Sequence, residues 1–66
     1  MSIQDEELQL LLHDMIDRYG YDFTGYSEAS LKRRITYFMI RDHVQDISRL
    51  RSLIANVDYF RLLVEA

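Results

Sequence analysis

Both glycines of the chain, Gly20 and Gly25, lie in one short stretch, and there is no proline anywhere. Glycine and proline are the strongest local interruptions of regular structure, so the reversal signal is concentrated in one place between two long uninterrupted segments. Upstream of it, Ile3, Leu8, Leu11, Leu12, Met15, Ile16 and Tyr19 recur mostly three and four residues apart, which is the pattern of an amphipathic helix. The spacing predicts a first helix over about residues 3–19. Ser2 with Asp5 approximates a capping box, and Asp5, Glu6 and Glu7 suit the positive end of the helix dipole. Gly20 is the expected left-handed cap at the other end.

Ser27 is a natural N-cap for a second helix, with Glu28 in its first turn. On a helical wheel Ile35, Phe38 and Met39 fall within roughly 80° of Leu31 and with it define the buried stripe. Arg33, Arg34, Tyr37 and Arg41 fall on the side away from that stripe, with Ile40 and Val44 nearby. Asp46 or Ser48 is expected to cap a third helix carrying Leu50, Leu53, Ile54 and Val57, and Asp58 to cap a fourth with Phe60, Leu62 and Leu63. Both segments are short enough to depend on tertiary packing. The expected fold is all-α, a small four-helix domain with short third and fourth helices.

Length and charge narrow the function. Sixty-six residues support one domain, and a chain this short buries only about 60% of the surface its unfolded form exposes. Without cysteine it has neither a disulfide nor a thiolate metal site, which fits a cytoplasmic setting. The acidic N-terminus and the lack of a long apolar run predict no export signal and no membrane insertion. A net charge of -3 disfavours nucleic acid as a partner, since phosphate binding rests on accumulated positive charge.

No catalytic constellation is present. His13 shares a helical face with Asp17, and His43 ends the second helix, but there is no third ligand at a recognised metal-binding spacing. The acidic cluster Asp5, Glu6 and Glu7 is what a helix N-terminus favours, and no pair of it brackets a substrate. No glycine-rich phosphate loop exists, and the chain is too small to be expected to enclose a cavity of several hundred Å³. Tyr19, Tyr21, Phe23 and Tyr26 suit a hydrophobic plug at the bottom of the helical core, hydroxyls toward water. What exceeds packing is the basic flank of Lys32, Arg33, Arg34 and Arg41. No acid stands among these positions to form an i,i+4 ladder, and Tyr37 and Ile40 interleave them, a mixture typical of interfaces. An acidic helix or a phosphate backbone would both suit it.

The run "YGYDFTGYSEASLKRRI" resembles the N-terminal helical domain of CheR-type chemotaxis protein methyltransferases, where an opening helix leads through "G-x-D-F-x-x-Y" into a helix bearing "L-x-R-R-I". Gly20, Asp22, Phe23 and Tyr26 match the first motif; Leu31, Arg33, Arg34 and Ile35 match the second. The segment "DISRLRSLIANVDYFRLLVEA" is similar to the family's third and fourth helices, so the likeness spans essentially the whole chain. The family often continues with further arginines where this chain has Thr36, Tyr37 and Phe38, which makes the basic patch thinner.

The resemblance implies an enzyme that transfers a methyl group from S-adenosylmethionine to glutamates on chemoreceptors. It further implies that residues 1–66 are the helical domain, ending before an α/β catalytic domain that holds most of the cofactor site. An "N-x-T-x-F-F-R" segment would be expected just past Ala66. In such a protein this domain would recognise the acidic helical bundle of the receptor, through Lys32, Arg33, Arg34, Tyr37 and Arg41, and would pack on its own catalytic domain. The domain alone is expected to be non-catalytic and to hold no cofactor. The alternatives from other classes are a helix-turn-helix-like nucleic-acid binder, with Lys32 to Arg34 on phosphates, and a non-catalytic helical adaptor.

Overall fold

The three-and-four spacing is realised as helix along most of the chain. The computed structural model describes residues 3–23 and 25–65. Among them the chain forms α1 (Asp5–Tyr19), α2 (Glu28–Arg41), α3 (Ile47–Leu53) and α4 (Val57–Glu65), with no strand. The architecture is therefore all-α with four helices, the last two short.

Each helix starts at a residue able to satisfy otherwise orphaned backbone N–H groups. α1 is capped at Gln4, whose own N–H donates to the Glu7 carboxylate at 3.2 Å. The expected cap Ser2 lies outside the described residues. Ile3 and Leu8 flank the cap at the positions of a hydrophobic staple, and both are buried. Ser27 caps α2, its Oγ accepting from the Ser30 N–H at 3.1 Å. Asp46 rather than Ser48 caps α3, accepting from the Arg49 N–H at 2.7 Å. α4 corrects the sequence expectation: the side chain of Asn56, not Asp58, accepts from the N–H groups of Asp58 and Tyr59 at 2.9 and 3.4 Å. The helix thus begins two residues earlier than an Asp58 cap implies, and Val57 opens α4 instead of closing α3.

Two left-handed residues end the long helices. Gly20 has φ 66° and its N–H donates to the Ile16 carbonyl at 2.8 Å, the simple glycine-terminated stop. His43 does the same work after α2 with φ 57°. Its N–H donates to the Ile40 carbonyl and that of Val44 to the Met39 carbonyl, the paired bonds of a Schellman motif. Beyond this turn the helical wheel no longer applies, which is why Val44, expected on the outer flank, is buried in the core.

The core joins Leu8, Leu11 and Met15 of α1, the α2 stripe of Leu31, Ile35, Phe38 and Met39, and Ile47, Leu50, Ile54, Phe60 and Leu63 from the second half. Ile16, included in the α1 stripe from spacing alone, is 43% exposed; it sits about 100° from the centre of that stripe. α1 packs on α3. The radius of gyration, 10.7 Å, agrees with about 10.8 Å for a globular chain of this length.

Candidate functional site

The second helix places its arginines by simple periodicity. With Leu31, Ile35 and Phe38 turned inward, Arg33, Arg34, Tyr37 and Arg41 are forced outward, and all four are exposed. Tyr37 is 73% exposed and Ile40 61%, so the flank offers a phenol ring and an aliphatic side chain to solvent beside its guanidinium groups. The Arg41 guanidinium lies 5.3 Å above the Phe38 ring, close enough for a cation–π contact. That holds one charge against the apolar stripe.

Lys32 is placed differently from the other cations. It faces α1 and pairs with the Asp5 carboxylate, half-buried. A helix wheel offers it only Glu28, one turn earlier on α2, and does not show Asp5, because that partner comes from another helix. Gln9 of α1 reaches α2 as well, donating to Glu28 at 3.2 Å.

Of the four aromatics in and beside the connector between α1 and α2, Tyr19 and Phe23 pack against the core, whereas Tyr21 and Tyr26 are exposed. Tyr19 stacks on Phe60 with ring centroids 4.1 Å apart, and Tyr21 meets the edge of the same ring at 5.7 Å. Phe23 lies between Tyr21 and Tyr26, at 4.8 and 5.7 Å. The Tyr19 hydroxyl is not turned to water as the sequence suggested. It donates to the Ile54 carbonyl at 2.6 Å, with the Ala55 carbonyl at 3.2 Å, and so ties the end of α1 to the α3–α4 turn.

Between this connector, α2 and the last turns of α4 lies a cavity of about 340 Å³. Met15, Ile35, Phe38 and Leu63 form its apolar base, and Arg33, Arg34, Tyr37 and Arg41 stand around it. No acidic side chain lines it among the described residues. A space of several hundred Å³ was not expected in a chain this short; it exists because α4 folds back to bring Leu63 and Val64 to the foot of α2. A second cavity of about 290 Å³ shares Leu12, Phe23, Tyr26 and Leu31 with the first but is lined by Asp22 and Glu28 and, among the described residues, by no arginine or lysine.

Two polar links outside the flank escaped the sequence reading. Arg51 of α3 grips Asp14 of α1 with two nitrogens, at 2.6 and 3.2 Å, and the hydrogen bond from that guanidinium holds the Asp14 carboxyl below the usual carboxylate range. Tyr59 of α4 donates to Asp42 at the end of α2, 2.7 Å away. Burial and then the adjacent carboxylate push its phenol up to about 12. Neither pair adjoins a substrate-sized space together with a second reactive group, and both read as ties between helices. His13 and Asp17 pair across one turn at 3.2 Å, well exposed. Among the described residues no three His, Cys, Asp or Glu gather where they could hold a metal ion. No helix among them is long and apolar enough to cross a membrane.

Comparison with known proteins gives a single, broad likeness. Residues 6–66 match the family described as the CheR methyltransferase, all-alpha domain. No curated protein and no solved structure matches the chain. The match covers nearly the whole sequence and agrees with the four-helix architecture, so the chain belongs to the CheR methyltransferase all-alpha domain family.

Proposed function

We propose that this chain is the recognition domain of an S-adenosylmethionine-dependent protein-glutamate methyltransferase, docking the acidic cytoplasmic helical bundle of a chemoreceptor. The observation that carries this reading is the gathering of Arg33, Arg34, Tyr37 and Arg41 on one exposed flank of α2, around one cavity. Arginine and tyrosine are the side chains that dominate interface energetics, and a positive flank on a chain of net charge -3 steers an acidic partner to one face. Membership of the family supports methyl transfer as the reaction of the protein in which this domain works.

The chain's own residues do not fit S-adenosylmethionine. Guanidinium groups could meet that cofactor's carboxylate, but among the described residues no carboxylate lines the cavity to face its sulfonium or accept from its ribose hydroxyls. The cofactor and the catalytic groups belong, in this proposal, to a catalytic domain on which the helical domain packs. The work of residues 1–66 is to hold the substrate helices in position. A nucleic-acid partner has less support, because Lys32, one of the three clustered cations, is engaged by Asp5.

The test is Arg33→Glu with Arg34→Glu in a methyltransferase containing this domain. Two charge reversals at roughly 1 kcal/mol each should lower kcat/KM toward receptor roughly thirtyfold, with a weaker dependence on salt, in a variant that still melts cooperatively. Unaltered kinetics in a folded variant would reject the docking role.

A further inference from the structure

We infer that the cavity beside α2, and not the charged outer flank alone, receives the partner: an acidic helix inserts an apolar side chain into it while its carboxylates meet the arginines at the rim. This rests on the docking reading and specifies the partner's chemistry. Three features of the cavity support it. Its base is lined by Met15, Ile35, Phe38 and Leu63, all buried side chains of the core. Its rim is cationic on the α2 side, through Arg33 and Arg41 in particular, and carries no carboxylate among the described residues. Its volume, about 340 Å³, is in the range of pockets that bury a ligand rather than graze it, and it is large enough for two aliphatic side chains one helical turn apart.

Charge complementarity selects the occupant. A neutral apolar segment would offer no carboxylate to the cationic rim, and a basic one would be repelled. A uniformly acidic segment would use the rim and leave the apolar base wet. A helix with leucines at i and i+4 flanked by glutamates uses both. The neighbouring cavity, lined by Asp22 and Glu28, would repel the same helix, so the connector residues Phe23 and Tyr26 mark the border of the docking face. Docking of this kind has a signature that a purely electrostatic contact lacks. Salt screens the rim charges but leaves the burial of leucine intact, so part of the affinity survives at high ionic strength.

The experiment titrates the 66-residue chain with three synthetic helical peptides at low and high salt, following affinity and the methyl resonances of Leu12, Leu63 and Val64. One peptide carries glutamates around two leucines a turn apart; the second has both leucines replaced by alanine; the third keeps the leucines and has glutamine for glutamate. The expected result is binding of the first peptide with shifts at those methyls, and a loss of roughly tenfold or more for the second, since a buried leucine is worth that much. The third should bind weakly with little salt dependence. Equal binding of the first two, abolished by salt, would overturn the cavity inference and leave electrostatic docking standing. Binding without shifts at the cavity methyls would overturn it as well. No binding of any acidic peptide would overturn the docking reading and the inference together.

Discussion

His43 shows how one residue can hold a turn at a cost. It is the only non-glycine among the described residues with positive φ, at 57°, in a conformation that an L-residue adopts at about 1–2 kcal/mol. The turn is worth that strain because it directs Val44 back into the core and satisfies the Ile40 and Met39 carbonyls. Glycine would adopt the same φ freely, with part of the gain offset by about 0.5–1 kcal/mol from its greater freedom in the unfolded chain. His43→Gly is therefore expected to stabilise the domain by about 0.5–1 kcal/mol, raising Tm by a few degrees in a chain of this size, while His43→Ala should give no such gain. Thermal melts of the three proteins check it. A lower Tm for the glycine variant would mean that the imidazole makes a contact worth more than the strain. At α1 the same problem is met by Gly20, and there the sequence announced the solution. A left-handed histidine carries no such signal, which is why Val44 was expected on the outer flank.

At the scale of elements, the tie between Asp14 and Arg51 does what α3 cannot do for itself. Seven residues, Ile47–Leu53, are too few for a helix to persist alone in water. α3 is held by its apolar face, by Tyr19 on the carbonyls at its end, and by the two-pronged grip of Arg51 on α1. The guanidinium lowers the Asp14 pKa in the folded state, so the ionised carboxylate is the form the fold favours. Its contribution is fully present above the unfolded value of about 3.9 and is lost as pH falls through the lower folded value. Asp14→Asn should melt below the wild type at neutral pH, and the gap should close as pH falls below about 4. Denaturant midpoints across that range, with amide exchange at α3, measure it; a gap that stays constant into acid would show that charge is not what binds α1 to α3. The caps at Gly20, Ser27 and Asp46 were readable in the sequence because each acts within a few residues of itself. The Asp14–Arg51 pair, 37 residues apart, was not, because periodicity describes faces of single helices and is silent on which faces meet.

The same boundary runs through the whole molecule. The all-α class and the α2 stripe follow from spacing, and so does the outward placement of Arg33, Arg34, Tyr37 and Arg41, since whatever lies opposite Leu31, Ile35 and Phe38 must face solvent. The cavity those arginines surround could not be read, because its far wall is supplied by Leu63 and Val64 of α4. Lys32 was grouped with the arginines for a similar reason, its partner Asp5 belonging to a different helix. The apolar base of that cavity, Met15, Ile35, Phe38 and Leu63, is also part of a single small core, which sets the stability of the site. A core of this size supplies roughly 3–5 kcal/mol in total, and no disulfide or thiolate metal site can add to it, since the chain has no cysteine. Leu50 is fully buried, and truncating such a leucine costs about 2–5 kcal/mol, which is comparable to everything the fold has. Leu50→Ala is thus expected to collapse the dispersed amide spectrum and remove a cooperative melt. Leu62→Ala, at a site 55% exposed, should stay within about 0.5 kcal/mol of the parent. If Leu50→Ala instead melts cooperatively with native dispersion, the domain has a margin beyond what its core area provides, and the ties through Tyr19, Asp14 and Tyr59 would have to account for it. If it unfolds, charge reversals on the α2 rim can still be interpreted, because those side chains lie outside the core whose loss would confound them.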